Sequence, residues 1–485
     1  MESNFGWKNE ELLVIFRKNG CLKLDLGRFL DSDFGVEDYL TELDLVGNVR
    51  FCQFDSREIS PILAGSDSGD AFFAVNSNAH DFIIDAILAG AKVCILHRKV
   101  VVNSRKKLRK LLQEAILAGK IDPKNLNCVF IVAPDSLKML QKLASIRREK
   151  LAGIVIGVTG SVGKTTSKQA LVHFFSKAGR KVVSTPKNYN NLLGISYFLA
   201  NVDVNSEIFV VEIGTNHPGE IDELGGLVRP DFSLITHVGP AHIEFFKTIG
   251  NIALEKGALL KHTKICAFFN NSYWYSVIFE RICVENGVKF RCFSNDFCPH
   301  FDQDFAIRPS LEVLRNSWRL IFDTLGENFE EDRSFGMHVP GRSDVFNARL
   351  NGQDLQVVDS SYNANLTSMI DQIKFFNAQF LLLKKKYPEK NFKQLAILGD
   401  MREIGDHAIR YHQVLSAYLR DVCLFLVGSK MIFLHEKHSN SFWFENWENL
   451  IDFMQKNVDY NALVLVKGGN AMKLAKVVEF LKKSE

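Results

Sequence analysis

The 485-residue chain is expected to be an α/β protein of three domains, with mostly parallel sheets joined by crossover helices. Three observations predict this. Short apolar runs alternate with segments of helical periodicity along the chain. A glycine-rich turn, Thr159-Gly160-Ser161-Val162-Gly163-Lys164-Thr165-Thr166, follows one such run and opens a helix. The length also exceeds the roughly 250–300 residues at which a single core stops growing.

In the first domain, residues 1–148, the segments 72–75, 93–96 and 128–132 read as strands. A helix over 81–89 is stopped by Gly90, and residues 137–150 read as a charged helix or linker that carries the boundary. The second domain, 149–336, has strands at 154–159, 208–213 and 233–238. Its glycine-rich turn leads into a helix with Leu171, Phe174, Phe175 and Ala178 on one face, stopped by Gly179. The third domain, 337–485, begins near Val339-Pro340-Gly341, with strands at 356–359, 395–398, 424–427 and 463–466.

Hydrophobic residues at 46% and charged residues at 24% exclude disordered, collagenous and disulfide-scaffold classes. Lys plus Arg number 59 against 56 Asp plus Glu, too even a balance to favour nucleic acid or an acidic membrane as partner. The basic stretch from Arg105 to Lys110 is therefore read as a solvated helix face. The nine cysteines include no CxxC pair, so reduced thiols in a cytoplasmic protein are expected. No run of about 18 apolar residues exists, and the first eleven residues lack the apolar core of a signal peptide.

The glycine-rich turn has the context of a phosphate-binding loop. Its glycines let backbone N–H groups curl toward phosphate oxygens, the helix N-terminus favours anions, and Lys164 adds a point charge. Gly160, Ser161, Val162, Gly163, Lys164, Thr165 and Thr166 are thus assigned to the phosphates of a nucleotide, and Thr165 offers a hydroxyl to Mg²⁺. The general pattern has Gly at position 158. This chain has Val158, so the match is to the shorter TGxxGKT form. The next apolar strand ends in Glu212, a carboxylate suited to holding a metal beside such a loop. His242 follows the third strand, at the end of a parallel sheet where ligands bind, and is a second metal candidate.

Together these segments resemble the Mur ligases, the ATP-dependent enzymes that build the peptide of the bacterial cell wall. In the first third the resemblance rests on Asp55-Ser56-Arg57, the run from Gly69 to Ala74, and His80-Asp81-Phe82. In the centre it rests on the phosphate loop, Asn188-Tyr189-Asn190-Asn191, the run from Glu212 to Ile221, Ala241-His242 and Glu255-Lys256-Gly257. In the last third it rests on Gly341-Arg342, the run from Asp359 to Asn365, Leu398-Gly399-Asp400-Met401 and Val466-Lys467-Gly468. The YNAN and LGDM segments are those of the D-alanyl-D-alanine-adding branch. The chain departs from that branch at Ala79, Ser360, Leu366 and Asn470, and its segment between Asn270 and Asn316 is short, as though a pair of strands were missing.

The resemblance implies a three-domain architecture: a UDP-sugar-binding first domain, a central phosphate-loop domain and a Rossmann-like last domain. It implies ATP and two Mg²⁺ ions, with UDP-N-acetylmuramoyl-tripeptide and D-alanyl-D-alanine as substrates. Thr165, Glu212, His242 and Lys256 would hold the metals, with Lys256 carbamylated and lying in the first turns of the helix after His242. Lys164, His242 and Lys256 would be catalytic. Asn316, Arg342 and Asp359 would contact the nucleotide, and Ser56, Arg57, Asn188, Asn191, Asn216, His217, Tyr362 and Asn363 the substrates. A monomer without nucleic acid or membrane insertion is expected. The competing readings are a diamino-acid- or glutamate-adding ligase of the same family, a phosphate-loop NTPase acting on nucleic acid, and a nucleotide-binding regulator. Absence of a DNPR segment disfavours the diamino-acid branch, and the even charge disfavours the NTPase.

Overall fold

The computed structural model describes residues 6–31, 40–43, 48–59, 68–75, 78–123, 126–294, 309–330, 341 and 343–484. Arg342, assigned to the nucleotide, lies outside them. The chain forms two compact units, Met1–Ile154 with Lys181–Val211, and Val155–Arg180 with Glu212–Glu485.

The first unit is built on a six-stranded sheet in the order Leu40–Thr41, Leu22–Leu24, Val129–Ala133, Ala91–His97, Ser68–Phe73, Asn48–Gln53. The last four strands are mutually parallel, and the two short ones are antiparallel additions at one edge. Residues 91–97 are an almost unbroken apolar run because the strand is covered on both faces. The segment expected to be a helix or linker is the helix Ser136–Glu149, started by Asp135, whose carboxylate accepts from Lys138 N at 2.9 Å. Gly90 ends the helix Ile83–Ala89 in the left-handed region (φ 105°). The basic stretch lies on the helix Arg105–Leu117, which buries Leu108, Leu112 and Ala115. Lys107 pairs with Asp81 and Arg109 donates to Phe29 O, so the solvated-face reading accounts for it. The strands Val182–Ser184 and Ile208–Glu212 also pair in parallel.

In the second unit, parallel strands run in the order Lys289–Phe293, Cys266–Asn270, Phe232–Ile235, Ile154–Thr159. The strand expected at 233–238 stops at Ile235, because Thr236 and His237 turn to meet the phosphate loop. The short segment after Asn270 carries the helix Ser276–Glu285 and the edge strand Lys289–Phe293. The third sheet, six-stranded, follows in the order Asp344–Leu350, Gln353–Ser360, Ala462–Lys467, Lys393–Gly399, Cys423–Val427, Ser441–Phe444. Its first two strands form an antiparallel hairpin and the rest are parallel. One apolar cluster joins the two sheets of this unit. It runs from Ile243, Phe246 and Ile252 to Met369, Met401 and Ile404 without a polar break. Burial of this kind, roughly 25 cal/mol per Å² of apolar surface, makes the two sheets one body.

Ala178 is exposed and caps the helix Lys164–Lys177, so the apolar face ends at Phe175. Every described cysteine is free. Among the described residues no helix is long and apolar enough to cross a membrane.

Candidate active site

The site grows from the C-terminal end of Ile154–Thr159. Gly160 (φ 149°) and Gly163 (φ 89°) occupy backbone conformations that L side chains avoid. A Cβ on Gly160 would lie 2.0 Å from Thr236 Oγ1, so the loop closes only on glycine there. The loop is then tied to the neighbouring strand end. Ser161 N donates to His237 O (2.7 Å), Ser161 Oγ to Gly239 O (2.9 Å) and Thr236 Oγ1 to Val162 O (2.6 Å). Lys164 Nζ donates to Gly160 O at 2.7 Å, folded back over the loop it serves.

Glu212 reaches this corner because Ile213 N donates to Val158 O (2.8 Å), laying residue 212 beside the loop-bearing strand. Its carboxylate is 2% exposed. Oε1 accepts from Thr165 Oγ1 at 3.0 Å, and Lys168 Nζ lies 3.2 Å from Oε2. A buried carboxylate must be neutralised or paired, and here a hydroxyl and an ammonium do it. Lys168 was not singled out from the sequence. Its signal was available: it lies one turn after Lys164, on the same helix face.

His242 sits at φ 56°, in the left-handed region, before the four-residue helix Ile243–Phe246. Its Nδ1 lies against the carboxylate of Glu403, from the loop after the strand Lys393–Gly399. That close contact with His242 is the main reason the Glu403 carboxyl is held below its ordinary value.

Lys256 is not in the first turns of the helix after His242. A separate helix, Ile249–Gly257, capped by Thr248, carries it in its last turn. The chain breaks between the two helices because Lys247 has φ 68°. Lys256 is buried, and no described residue hydrogen-bonds or ion-pairs with its ammonium. Burial pushes it down to about 7, and the nearby Lys164 charge acts in the same direction, against a smaller opposing effect of Glu255. Glu255 is occupied elsewhere. It accepts from Gly219 N (2.7 Å), Ile221 N (2.8 Å) and Thr215 Oγ1 (3.2 Å), capping the helix Glu220–Val228 from a distance. Among the described residues no cluster of three His, Cys, Asp or Glu side chains forms a ready-made metal cage. The oxygens on offer are those of Thr165 and Glu212, hard ligands of the type Mg²⁺ prefers, so these residues fit such an ion.

Asp359 is buried, and Oδ1 accepts from Ser361 N and Oγ. Lys467 Nζ donates to Asn363 O at 2.9 Å, and Tyr362 is exposed. Asn365 caps the helix Leu366–Lys386 and also donates to Ser161 O of the phosphate loop at 3.4 Å. Leu366 stands at the first helical position, where proline is favoured but not required. Asn316 is half-buried on the helix Pro309–Leu325, which Trp318 ties to the loop helix through Ser167 Oγ (3.0 Å). Asn216 and His217 donate their backbone N–H groups to Glu220, and the His217 ring packs on Phe245. In the first unit, Ser56 is buried in a short turn and Arg57 is paired with Asp55 (Nε–Oδ1 2.8 Å). There Asn191 caps the helix Leu192–Asn201, and Asn188 O accepts from Asn190 N.

Fold and site together define a phosphate-loop α/β protein, with a buried acid and a buried lysine that has no partner among the described residues around the loop. Residues 158–350 match the model of the Mur ligase middle domain. The chain is 27% identical over 481 residues to the UDP-N-acetylmuramoyl-tripeptide–D-alanyl-D-alanine ligase of Rickettsia prowazekii, covering 89% of this chain and 95% of that one. Among solved structures it is similar to MurF from Acinetobacter baumannii (TM-score 0.70, 19% identity, 95% and 99% of the two chains). It is likewise similar to the ADP complex of the Thermotoga maritima MurF ligase (0.69, 22%, 89% and 97%). The chain is thus similar to the Mur ligases along most of its length, and residues 158–350 match their middle domain.

Proposed function

We propose that this protein ligates D-alanyl-D-alanine to UDP-N-acetylmuramoyl-tripeptide at the expense of ATP, in the cytoplasm and as a monomer. The observation that carries this reading is the pairing of a tied phosphate loop with a buried lysine that has no acid of its own. A nucleotide hydrolase needs only the first.

Joining a carboxylate to an amine is uphill in water, and a carboxylate is a poor electrophile. Transfer of the γ-phosphoryl group from ATP to the tripeptide carboxylate gives an acyl phosphate and ADP. The dipeptide amine then attacks the acyl carbon, a proton leaves the nitrogen, and inorganic phosphate departs. Such chemistry depends on positioning and on positive charge at the transferring group. Lys164 and the loop amides hold the phosphates. Thr165 and Glu212 would hold one Mg²⁺, and His242 with Lys256 the second. When bound, the ions supply Lewis-acid stabilisation of phosphoryl charge. A protonated Lys256 cannot ligate, since an ammonium has no lone pair. Carbamylation of its neutral amine would turn it into an oxygen donor, and a lysine lowered to about 7 has that amine available.

The three-way division near residues 148 and 337 belongs to this reading. The first domain, through Ser56 and Arg57, would take the UDP end. Asn188, Asn191, Asn216, His217, Tyr362 and Asn363 would take the peptide portions. Arg342, Asp359 and Asn316 would take the nucleotide, and the last domain would exclude water from the acyl phosphate. The test is phosphate release from the purified chain, which should require ATP, the UDP-muramoyl tripeptide and D-alanyl-D-alanine together. Full activity with a free amino acid and none with the dipeptide would refute it.

A further inference from the structure

Among the described residues the mechanism leaves one well-placed acid unused. Glu403 and His242 are both non-glycine residues in the left-handed region, at φ 57° and 56°. The Glu403 carboxylate meets His242 Nδ1, and Glu403 O accepts from Glu244 N, two residues further along, at 3.1 Å. Two strained residues in mutual contact persist only where their surroundings over-determine them, and such places gather at functional sites.

The surroundings of Glu403 do this. Asp400 accepts from Met431 N (2.8 Å) and Lys430 N (3.0 Å), while its carbonyl accepts from Gly469 N (3.0 Å). Met401 N donates to His412 Nε2 at 3.1 Å. The loop is thus anchored to the third sheet. Gly405 (φ 49°) lets it approach Glu244 so closely that an added Cβ would lie 3.2 Å from Glu244 Cγ. A stabilising ion pair is a poor explanation, because the pair is only partly buried (27% and 42% exposed) and such pairs contribute little.

We propose that Glu403 is a positioning residue for His242. Its carboxylate accepts the Nδ1 proton, fixes the tautomer that leaves Nε2 bare for a cation, and does so from the third sheet. The imidazole is then set correctly only when that sheet is seated against the central one. This rests on the reading of His242 as a metal ligand. Partners that orient a ligating histidine are worth about 10–100-fold in metal affinity.

The test uses the full chain and two variants. With ¹⁵N-labelled histidine and no metal, the His242 resonances, assigned with His242→Asn, should show the Nδ1–H tautomer in the wild type. Glu403→Gln keeps an accepting oxygen and should retain that tautomer, whereas Glu403→Ala should give a mixture. Mn²⁺ titrated into the ADP-bound chain, with the free ion followed by electron paramagnetic resonance, should bind about 10–100-fold more weakly to Glu403→Ala. Glu403→Gln should restore part of the loss. An unchanged tautomer in Glu403→Ala, or a Glu403→Gln indistinguishable from it, would overturn the proposal. Failure of the ligase reading shows separately, as a wild-type chain that releases no phosphate with all three substrates.

Discussion

Two buried lysines in this protein have opposite circumstances. Lys168, one turn into the loop helix, lies 3.2 Å from the buried Glu212 carboxylate. Lys256, at the end of Ile249–Gly257, is equally buried but has no described partner, and its own neighbour Glu255 is spent on backbone amides. Burial alone therefore says nothing about role. A paired lysine compensates an acid and keeps it ionised, while an unpaired one is pushed toward its neutral, reactive form. The Glu212 carboxylate has an ammonium beside it, and the Lys256 ammonium has no such partner among the described residues.

The largest effects should come from activity. Glu212→Ala and Lys164→Ala should each lose at least about 10²-fold in turnover, the scale for one preorganised electrostatic group. Lys256→Ala should be nearly inactive and partly rescued by a short-chain carboxylic acid, while Lys256→Arg stays inactive. Phosphate release measures all four, and a fully active Lys256→Arg would break the contrast between the two lysines.

Stability should separate the same pair by sign. Lys168→Met strands Glu212 without its ammonium and should destabilise by about 3–5 kcal/mol, the cost of breaking a buried pair. Lys256→Met removes an uncompensated charge and should raise the denaturation midpoint at pH 7. Urea unfolding of both variants reads the two directions, and a loss in each would mean Lys256 is paired in solution.

A half-buried base sharpens the point at lower pH. Burial pushes the His237 imidazole, stacked edge-on against Tyr273, down to about 4. Between about 6.5 and 4 the unfolded chain binds a proton that the folded chain refuses. This contribution to stability is full above about pH 6.5 and falls as pH drops to 4, by on the order of 3 kcal/mol. His237→Leu should flatten that part of the pH–stability curve, measured by urea unfolding at each pH. The smallest effect belongs to Asn365, which caps its helix and touches the loop. Asn365→Ala should cost about 1 kcal/mol by the same measurement.

Much of this site was legible in the linear chain because its signals are local. The phosphate loop needs glycine, lysine and threonine at adjacent positions between a strand and a helix, and Ile154–Thr159 and Lys164–Lys177 supply that frame. The carboxylate at the end of an apolar strand was visible for the same reason. Lys168 was overlooked although helix periodicity marks it. Glu403 carries no comparable mark, because a loop residue becomes informative only when its partner, more than a hundred residues away, is known.

By itself, then, the sequence determined the alternation of strands and helices, the loop chemistry and the resemblance to the Mur ligases. Periodicity, glycine placement and residue type act over a few positions and can be read there. Tertiary structure decided the rest. It ended the strand at Ile235 so that Thr236 and His237 could bind the loop, and it moved Lys256 to the last turn of a second helix. It also fused the central and third sheets around one apolar cluster and set Glu403 against His242. These outcomes depend on which distant groups share a desolvated space, and the spacing of residues along the chain does not encode that.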